Sequence, residues 1–422
     1  MNNLRQSSFL TRVVEAVADG IRHPPRPAHH RKLWLKVHLW LGLTAGALLI
    51  LIGLTGSILV FWHEVDEWLN PHLFHVEPQS GGQSAFRPVD EILAAVVKAM
   101  PPGSMPTFSY YPRHDAVAYQ VYVLVPSTPA ATTPVEYAQH HVFVNPYTAV
   151  VLGSRLVRPV GLGGAIPRTF IMFIFALHYA LLLPRFGTPP FGDTVVAILG
   201  LILTVSLGTG LYLWWPRRGG WGSALTIKRH AHMRRVNFDL HKTAGLYFAL
   251  VLLGLFVSGV YLNLPAPFHT VVRLFSPTID LNKVQSQVVP GRQPISLGEA
   301  VRIVRGHYPE GRTDWLSIPR KPTGTYRVCN RDIEDISLVL TRRCVVVDQY
   351  SGDILHVQSP DRGTAGEHFI QWQWPIHSGQ IFGMTGRWIV FASGLVCPIL
   401  FGTGFYLWWR KRTRRHRALR SG

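Results

Sequence analysis

Residues 38–62 read HLWLGLTAGALLILIGLTGSILVFW, and residues 241–264 read HKTAGLYFALVLLGLFVSGVYLNL. Both open on a histidine, His38 and His241, place a glycine at the next helical turn, Gly42 and Gly245, and carry another at matched offsets, Gly56 and Gly259. Each stretch is long and apolar enough for a helix to cross the hydrocarbon core of a bilayer. Two matched apolar segments so far apart in one chain indicate an internal duplication.

The halves also end alike. FALHYALLL, with His178, precedes GTGLYLWWPRR, and WPIHSGQIFG, with His377, precedes GTGFYLWWRKR. Four spans are therefore expected, over residues 35–63, 193–215, 238–264 and 386–409. Residues 168–184 are short for a crossing, and residues 368–383 contain Gln371, Gln373 and Gln380 and are too polar to face lipid. Both are expected as helices in the periplasmic interface.

The chain has 422 residues, 47% hydrophobic and 15% charged, with a formal charge of +19. That charge would suit a nucleic-acid protein if it lay on one folded face. It lies instead at the ends of the apolar runs, in segments 1–34, 216–237 and 410–422, which is the positive-inside pattern of cytoplasmic segments in a bilayer protein and gives no nucleic-acid partner. Even parity then places both termini in the cytoplasm. The N-terminus lacks a short apolar core with a small-residue cleavage site, so the first span is expected to be retained.

Segments 64–167 and 265–367 are soluble in character and fall outside, in the periplasm. Each has a helical stretch (VDEILAAVVKAMPPG, SLGEAVRIVRGHYPEG), alternating strands (AVAYQVYVL, GTYRVC) and a closing hairpin (HVFVNPYTAVVLG, CVVVDQYSGDIL), and reads as a small α+β domain. The expected architecture is thus an integral membrane α-helical protein with four transmembrane helices from an internal duplication, two periplasmic α+β inserts and two interfacial helices. In order, HLWLGL, LTGSILVFWHEVDEWLNP, DLHKTAGLY and the two GTG-x-YLWW endings, with inserts that resemble PepSY domains, are similar to the PepSY-associated transmembrane family. The resemblance covers Leu33 to Arg412, and Ala149 departs from it where a glycine often closes the family's P-x-T-G turn. It implies an iron-regulated inner-membrane protein or ferric-siderophore reductase with b-type haem.

A histidine at membrane depth is costly and by default functional. His38 with His241, and His178 with His377, occupy repeat-related places and are read as axial ligands of two haem b groups, one towards each side of the membrane. His63 is an alternative ligand on the side of His178 and His377. His38, Gly42, Gly46, Leu49, Gly53, Gly56 and Val60 share one helix face, as do His241, Gly245, Ala249, Leu252 and Gly259. Such a stripe suits either a flat macrocycle or close helix packing. No C-x-x-C-H motif is present, which leaves non-covalent haem.

His140, His141, His230 and His232 are read as solvated residues, the His140-His141 pair also as an iron contact. Cys329 and Cys344 could form a disulfide in an oxidising compartment, and Cys397 is read as a core residue. Bis-histidine ligation fills both axial positions, so outer-sphere electron transfer is left rather than bond-making at iron. The reaction read from this is reduction of ferric siderophore on the periplasmic side. No G-x-G-x-x-G unit occurs, so the donor is another molecule, cytoplasmic or a membrane quinol. Arg158, Arg168 and Arg185 are candidate contacts for anionic siderophores, lipid head groups or haem propionates. The alternatives are a non-redox binding or permease-type protein and a haem protein that feeds another periplasmic reductase.

Overall fold

The computed structural model describes residues 28–127, 136–160, 166–184, 189–216, 220–228, 230–333 and 342–420. Arg185, the first 27 residues and part of the basic loop lie outside these. The elements in chain order begin with helices α1 (Ala28–Val60), α2 (Trp62–Leu69), α3 (Pro71–Phe74) and α4 (Val89–Ala99). Strands β1 (Met105–Tyr110), β2 (Tyr119–Pro126), β3 (Tyr137–Val144) and β4 (Val151–Arg158) follow. Then come α5 (Phe170–Ala180), α6 (Phe191–Trp214), α7 (Trp221–Leu225), α8 (Met233–Tyr247), α9 (Ala249–Asn263), α10 (Pro265–Val272) and α11 (Leu297–His307). Strands β5 (Arg312–Ser317), β6 (Thr325–Arg331), β7 (Arg343–Asp348) and β8 (Ile354–Gln358) precede the last two helices, α12 (Ala365–Ser378) and α13 (Gly383–Arg420).

Three helices, within α1, α6 and α13, are each long and apolar enough to span a membrane. The third expected span, 238–264, is not one helix. It is bent between α8 and α9 at Phe248, so the described spans number three, or four if the bent pair counts as one. Phe248 has φ −95° and ψ 2°, outside the helical well, and interrupts the ladder without a proline. Helix α1 stops at Val60, which puts His63 on α2 rather than on the first apolar helix.

The chain divides into two compact units. One comprises Met1–Ala47, Ile202–Ala249 and Ile399–Gly422, and its regular elements among the described residues are all helices. The second, Leu48–Leu201 with Leu250–Pro398, contains an eight-stranded antiparallel sheet ordered β4-β3-β2-β1-β5-β6-β7-β8.

This sheet corrects the expectation of two separate small domains. The two inserts are halves of one sheet, joined where β1 pairs with β5 through Phe108, Ser109 and Tyr110 opposite Ser317, Leu316 and Trp315. The joining strands, MPTFSY and RTDWLS, carry Pro106 or Arg312, Thr313 and Asp314 near their starts and lack a long apolar run, so neither shows a strand pattern of its own. An edge strand left bare on each insert would expose a row of unpaired backbone groups, and pairing the two edges removes both.

One face of the sheet carries the soluble core. Tyr119, Val121, Val123 and Val125 of β2 alternate inward with Val142 and Val144 of β3 and Val345 and Val347 of β7. Val89, Ile92 and Val96 of α4 and Leu297, Ala300, Val301 and Val304 of α11 cover that face at helical spacing. Ser296 caps α11 by accepting from the Glu299 N–H, and Thr364 and Glu367 form a capping box at the start of α12. Cys329 and Cys344 lie directly opposite each other on β6 and β7 and are joined by a disulfide.

Candidate functional site

The four repeat-related histidines form two pairs, one in each unit. His38 of α1 and His241 of α8 have ring centroids 6.1 Å apart. In the second unit, His178 of α5 and His377 of α12 are 6.0 Å apart.

Each ring rests on a short recurring step of a neighbouring helix. His38 Nδ1 meets Ser206 O at 3.0 Å and Thr209 Oγ1 at 3.2 Å. His241 Nδ1 meets Leu400 O at 3.0 Å and Thr403 Oγ1 at 2.9 Å. His178 Nδ1 meets Ile52 O at 3.0 Å and Thr55 Oγ1 at 3.1 Å. His377 Nδ1 meets Ser258 Oγ at 2.9 Å, and the Leu255 carbonyl, in the equivalent place, engages it more loosely. A carbonyl, a hydroxyl one turn later and then a glycine make up each cradle: Gly56, Gly210, Gly259 and Gly404 follow the four hydroxyl residues directly.

Three of the four glycines sit where a side chain would crowd the ring, and the fourth, Gly259, where one would touch it. A Cβ on Gly210 would lie 3.0 Å from His38 Cε1, and one on Gly404 3.3 Å from His241 Cε1. In the second unit, Gly56 would meet His178 Cε1 at 3.0 Å and Gly259 would meet His377 Cε1 at 3.5 Å.

The protons follow from the partners. A backbone carbonyl only accepts, so the Nδ1 atoms of His38, His241 and His178 donate. The hydroxyls are already committed as donors, Thr209 to Ser206 O, Thr403 to Ile399 O, Thr55 to Leu51 O and Ser258 to Gly254 O, at 2.6–2.7 Å. They too present a lone pair to the imidazole, and His377 is fixed as a donor at Nδ1 like the other three. Nε2 is left as the proton-free nitrogen of each ring, and among the described residues it has no hydrogen-bond partner.

Two neutral imidazoles with free Nε2 lone pairs are the donor set that would suit opposite sides of one metal ion. With metal–nitrogen bonds of about 2.0–2.1 Å and roughly 1.1 Å from nitrogen to ring centre, two axial imidazoles put their centroids about 6.3 Å apart. The separations found are within a few tenths of an ångström of that. Among the described residues, no group of three or more His, Cys, Asp or Glu could hold a bare ion. Two ligands per centre fit a metal that brings its own equatorial donors, as a porphyrin does.

The glycine stripe on α1 divides its work. Gly53 packs against Cys397 and Gly394, and Gly46 against Phe401, which is close helix packing. Gly56 alone faces a histidine, and a Cβ on Gly42 would meet nothing within 4 Å.

His63 is not brought to either pair in the contacts it makes. Its ring stacks on Trp62 at 3.4 Å and lies 5.9 Å from Tyr110. The local turn from α1 into α2 turns it away from the helix face it was assigned to. His141 is a second correction: it is 1% exposed on β3, its ring 3.6 Å from that of Tyr122, and neither ring nitrogen has a partner. Burial, then the charges of Arg155 and His140, hold its pKa well below the ordinary value. His230 and His232 are exposed. Arg158 donates to the Tyr179 hydroxyl at 2.7 Å, and Arg168 is exposed. Cys397 is buried, as read.

Helix α2 ties the sheet to the histidine-bearing part of the second unit. Arg387 of α13 grips Glu64 at 2.8 Å, Arg155 of β4 grips Asp66 at 2.8 Å, and Arg113 pairs with Glu67. Trp62 lies 5.5 Å from Phe175, one helical turn before His178.

A sequence profile of the PepSY-associated TM region matches residues 35–411. The chain belongs to that family. No curated protein matches it. Membership of the PepSY-associated family covers both histidine pairs and the whole sheet, since all lie within the matched residues. Sequence reasoning named the four histidines but not Thr55, Thr209, Ser258 and Thr403. Their signal was present in the two Gly-Thr-Gly steps and in the shared offset of Thr55-Gly56 and Ser258-Gly259.

Proposed function

We propose that the chain is an inner-membrane di-haem b electron-transfer protein that reduces ferric siderophore on the periplasmic side and releases ferrous iron. The observation that carries this is the pair of matched imidazole pairs, at 6.1 and 6.0 Å, each with its Nδ1 protons tied back and its Nε2 atoms free. Held between His38 and His241 and between His178 and His377, haem b would supply one-electron redox chemistry.

The chain's own part is to hold and orient. His38 and His241 would hold the group on the side of the basic segments, and His178 and His377 the one on the side of the sheet. The bent α8–α9 pair is read as one span, which gives four spans with the basic segments and both termini in the cytoplasm. Electrons then enter from a cytoplasmic reductant or a membrane quinol and leave to a ferric chelate docked outside. The apolar helices around the imidazoles exclude water, so little solvent reorganises as charge passes.

The test is reoxidation. Protein purified in detergent with haem supplied is reduced with dithionite, freed of excess reductant and mixed anaerobically with a ferric hydroxamate or ferric catecholate, while the α band and a ferrous-iron indicator are followed together. Loss of the reduced band with stoichiometric ferrous iron supports the reading. A reduced band that persists with every chelate while a periplasmic redox protein discharges it would assign the electrons to another reductase.

A further inference from the structure

We infer that the hydroxyl–glycine steps Thr55-Gly56, Thr209-Gly210, Ser258-Gly259 and Thr403-Gly404 are positioning elements that set the donor strength of the four histidines, and that the looser Leu255 carbonyl leaves the His178–His377 pair the weaker donor of the two. The inference rests on the di-haem reading and concerns how this chain tunes it.

Each hydroxyl has spent its proton on a carbonyl of its own helix, at 2.6–2.7 Å, and so acts on the imidazole only as an acceptor. Each glycine removes the Cβ that would keep the ring off that helix, at 3.0–3.5 Å. Two acceptors on one Nδ1–H draw its proton outward and leave more electron density on Nε2. A richer Nε2 favours the ferric over the ferrous state and lowers the midpoint potential, and such outer hydrogen bonds are among the levers a protein has on haem.

The four cradles are not equal. His38, His241 and His178 each have a carbonyl at 3.0 Å together with a threonine hydroxyl. His377 has the serine hydroxyl at 2.9 Å and the looser Leu255 carbonyl. Of the two pairs, the one on the side of the sheet therefore has one less firmly polarised imidazole. That difference raises its potential relative to the other pair and favours outward flow.

The experiment is a spectroelectrochemical titration of purified, haem-loaded protein with EPR of the ferric state, for wild type, Thr403→Val, Ser258→Ala and Ser258→Thr. Valine keeps the shape of threonine and removes only the acceptor. Thr403→Val is expected to raise one midpoint by up to about tenfold in the redox equilibrium, about 59 mV for one electron, and to leave the other in place. Ser258→Ala is expected to raise the other midpoint by less. Ser258→Thr and Thr403→Ser keep the acceptor oxygen and are expected to hold the wild-type midpoints, and Ser258→Ala carries the test if the valine variant does not fold. Haem-loaded Thr403→Val and Ser258→Ala with wild-type midpoints and g values overturn the inference while leaving the di-haem reading intact. Well-folded wild type that takes up no haem overturns that reading instead.

Discussion

In the first half of the duplication, the helix that follows the apolar run, α2, carries Glu64, Asp66 and Glu67, and an arginine grips each of them. The equivalent helix of the second half, α10, reads PAPFHTVV and has no carboxylate; its His269 instead meets Thr278 Oγ1 at 2.8 Å. Helix packing differs as well. Gly53 of α1 and Gly394 of α13 touch backbone to backbone, with Ser57 donating to Phe391 O at 2.7 Å, whereas Gly200 of α6 lies less tightly against the Val260 side chain and the Phe256 carbonyl of α9. Against these differences, the histidines and their hydroxyl–glycine cradles recur in both halves. What the duplication keeps is the geometry around the imidazoles, and what it varies is how each half is braced.

The largest effect that separates the halves is expected at Asp66, which is 2% exposed and bound by Arg155 from the sheet. Asp66→Ala leaves a buried guanidinium without its partner and is expected to cost about 3–5 kcal/mol. His269→Ala, on the second-half helix, is expected to cost about 1 kcal/mol, the range of a single neutral hydrogen bond. Thermal melts of the two variants in one detergent check the order, and equal losses would erase the claimed asymmetry.

A smaller separation is expected between the glycine contacts. A Cβ on Gly394 would strike Ser57 Oγ and Gly53 O, while one on Gly200 would sit 3.2 Å from Val260 Cγ2 and 3.3 Å from Phe256 O. Overpacking of this kind costs about 1–3 kcal/mol, so Gly394→Ala is expected near the top of that range and Gly200→Ala near the bottom. Melting temperature and monodispersity in detergent are the readouts.

The smallest effect concerns the two closing turns and depends on pH. Asp348 accepts from the Tyr350 and Ser351 N–H groups at 2.8 and 3.0 Å and from Gln287 N at 3.0 Å. Burial raises its pKa, but those N–H groups outweigh burial and hold it below the ordinary 3.8. A depressed carboxylate pKa adds stability that is present above the unfolded value, near 3.9, and is lost as pH falls through the folded one. In the first half, Asn145 makes the equivalent contacts, to Tyr147 N at 2.9 Å and Thr148 N at 3.3 Å, and does not titrate. Hydrogen-exchange protection, taken relative to the intrinsic rate at each pH, is expected to fall first in the β7–β8 turn between pH 5 and 3, and an equal fall in the β3–β4 turn would contradict this.

The sequence made the duplication, the helical stretches of the inserts and the four histidines legible, because each rests on local pattern. Ala149 departs from the family's glycine at its turn, and it adopts φ 56° where its counterpart Gly352 has φ 80°. Long-range choices were not legible. Strands β1 and β5 have weak alternation of their own and are fixed by pairing with each other, so the single sheet could not be read from either insert. His63 fell on the His38 face only while α1 was extended past Val60, and His141 looked solvated because its burial comes from Tyr122 on the next strand. The cradle hydroxyls escaped notice because threonine and serine inside an apolar helix usually bond back to their own carbonyls. These do so, and offer the remaining lone pair to a histidine of another helix.

The central claim is that each histidine pair holds one haem. The direct measurement is a pyridine haemochrome count with oxidised and dithionite-reduced spectra, on protein expressed with haem supply and purified in detergent, for wild type, His38→Ala and His377→Ala. Low-spin b-type spectra with two haems per chain in wild type and one in each variant are expected. Folded wild type without haem, or variants that keep the wild-type count, would contradict it.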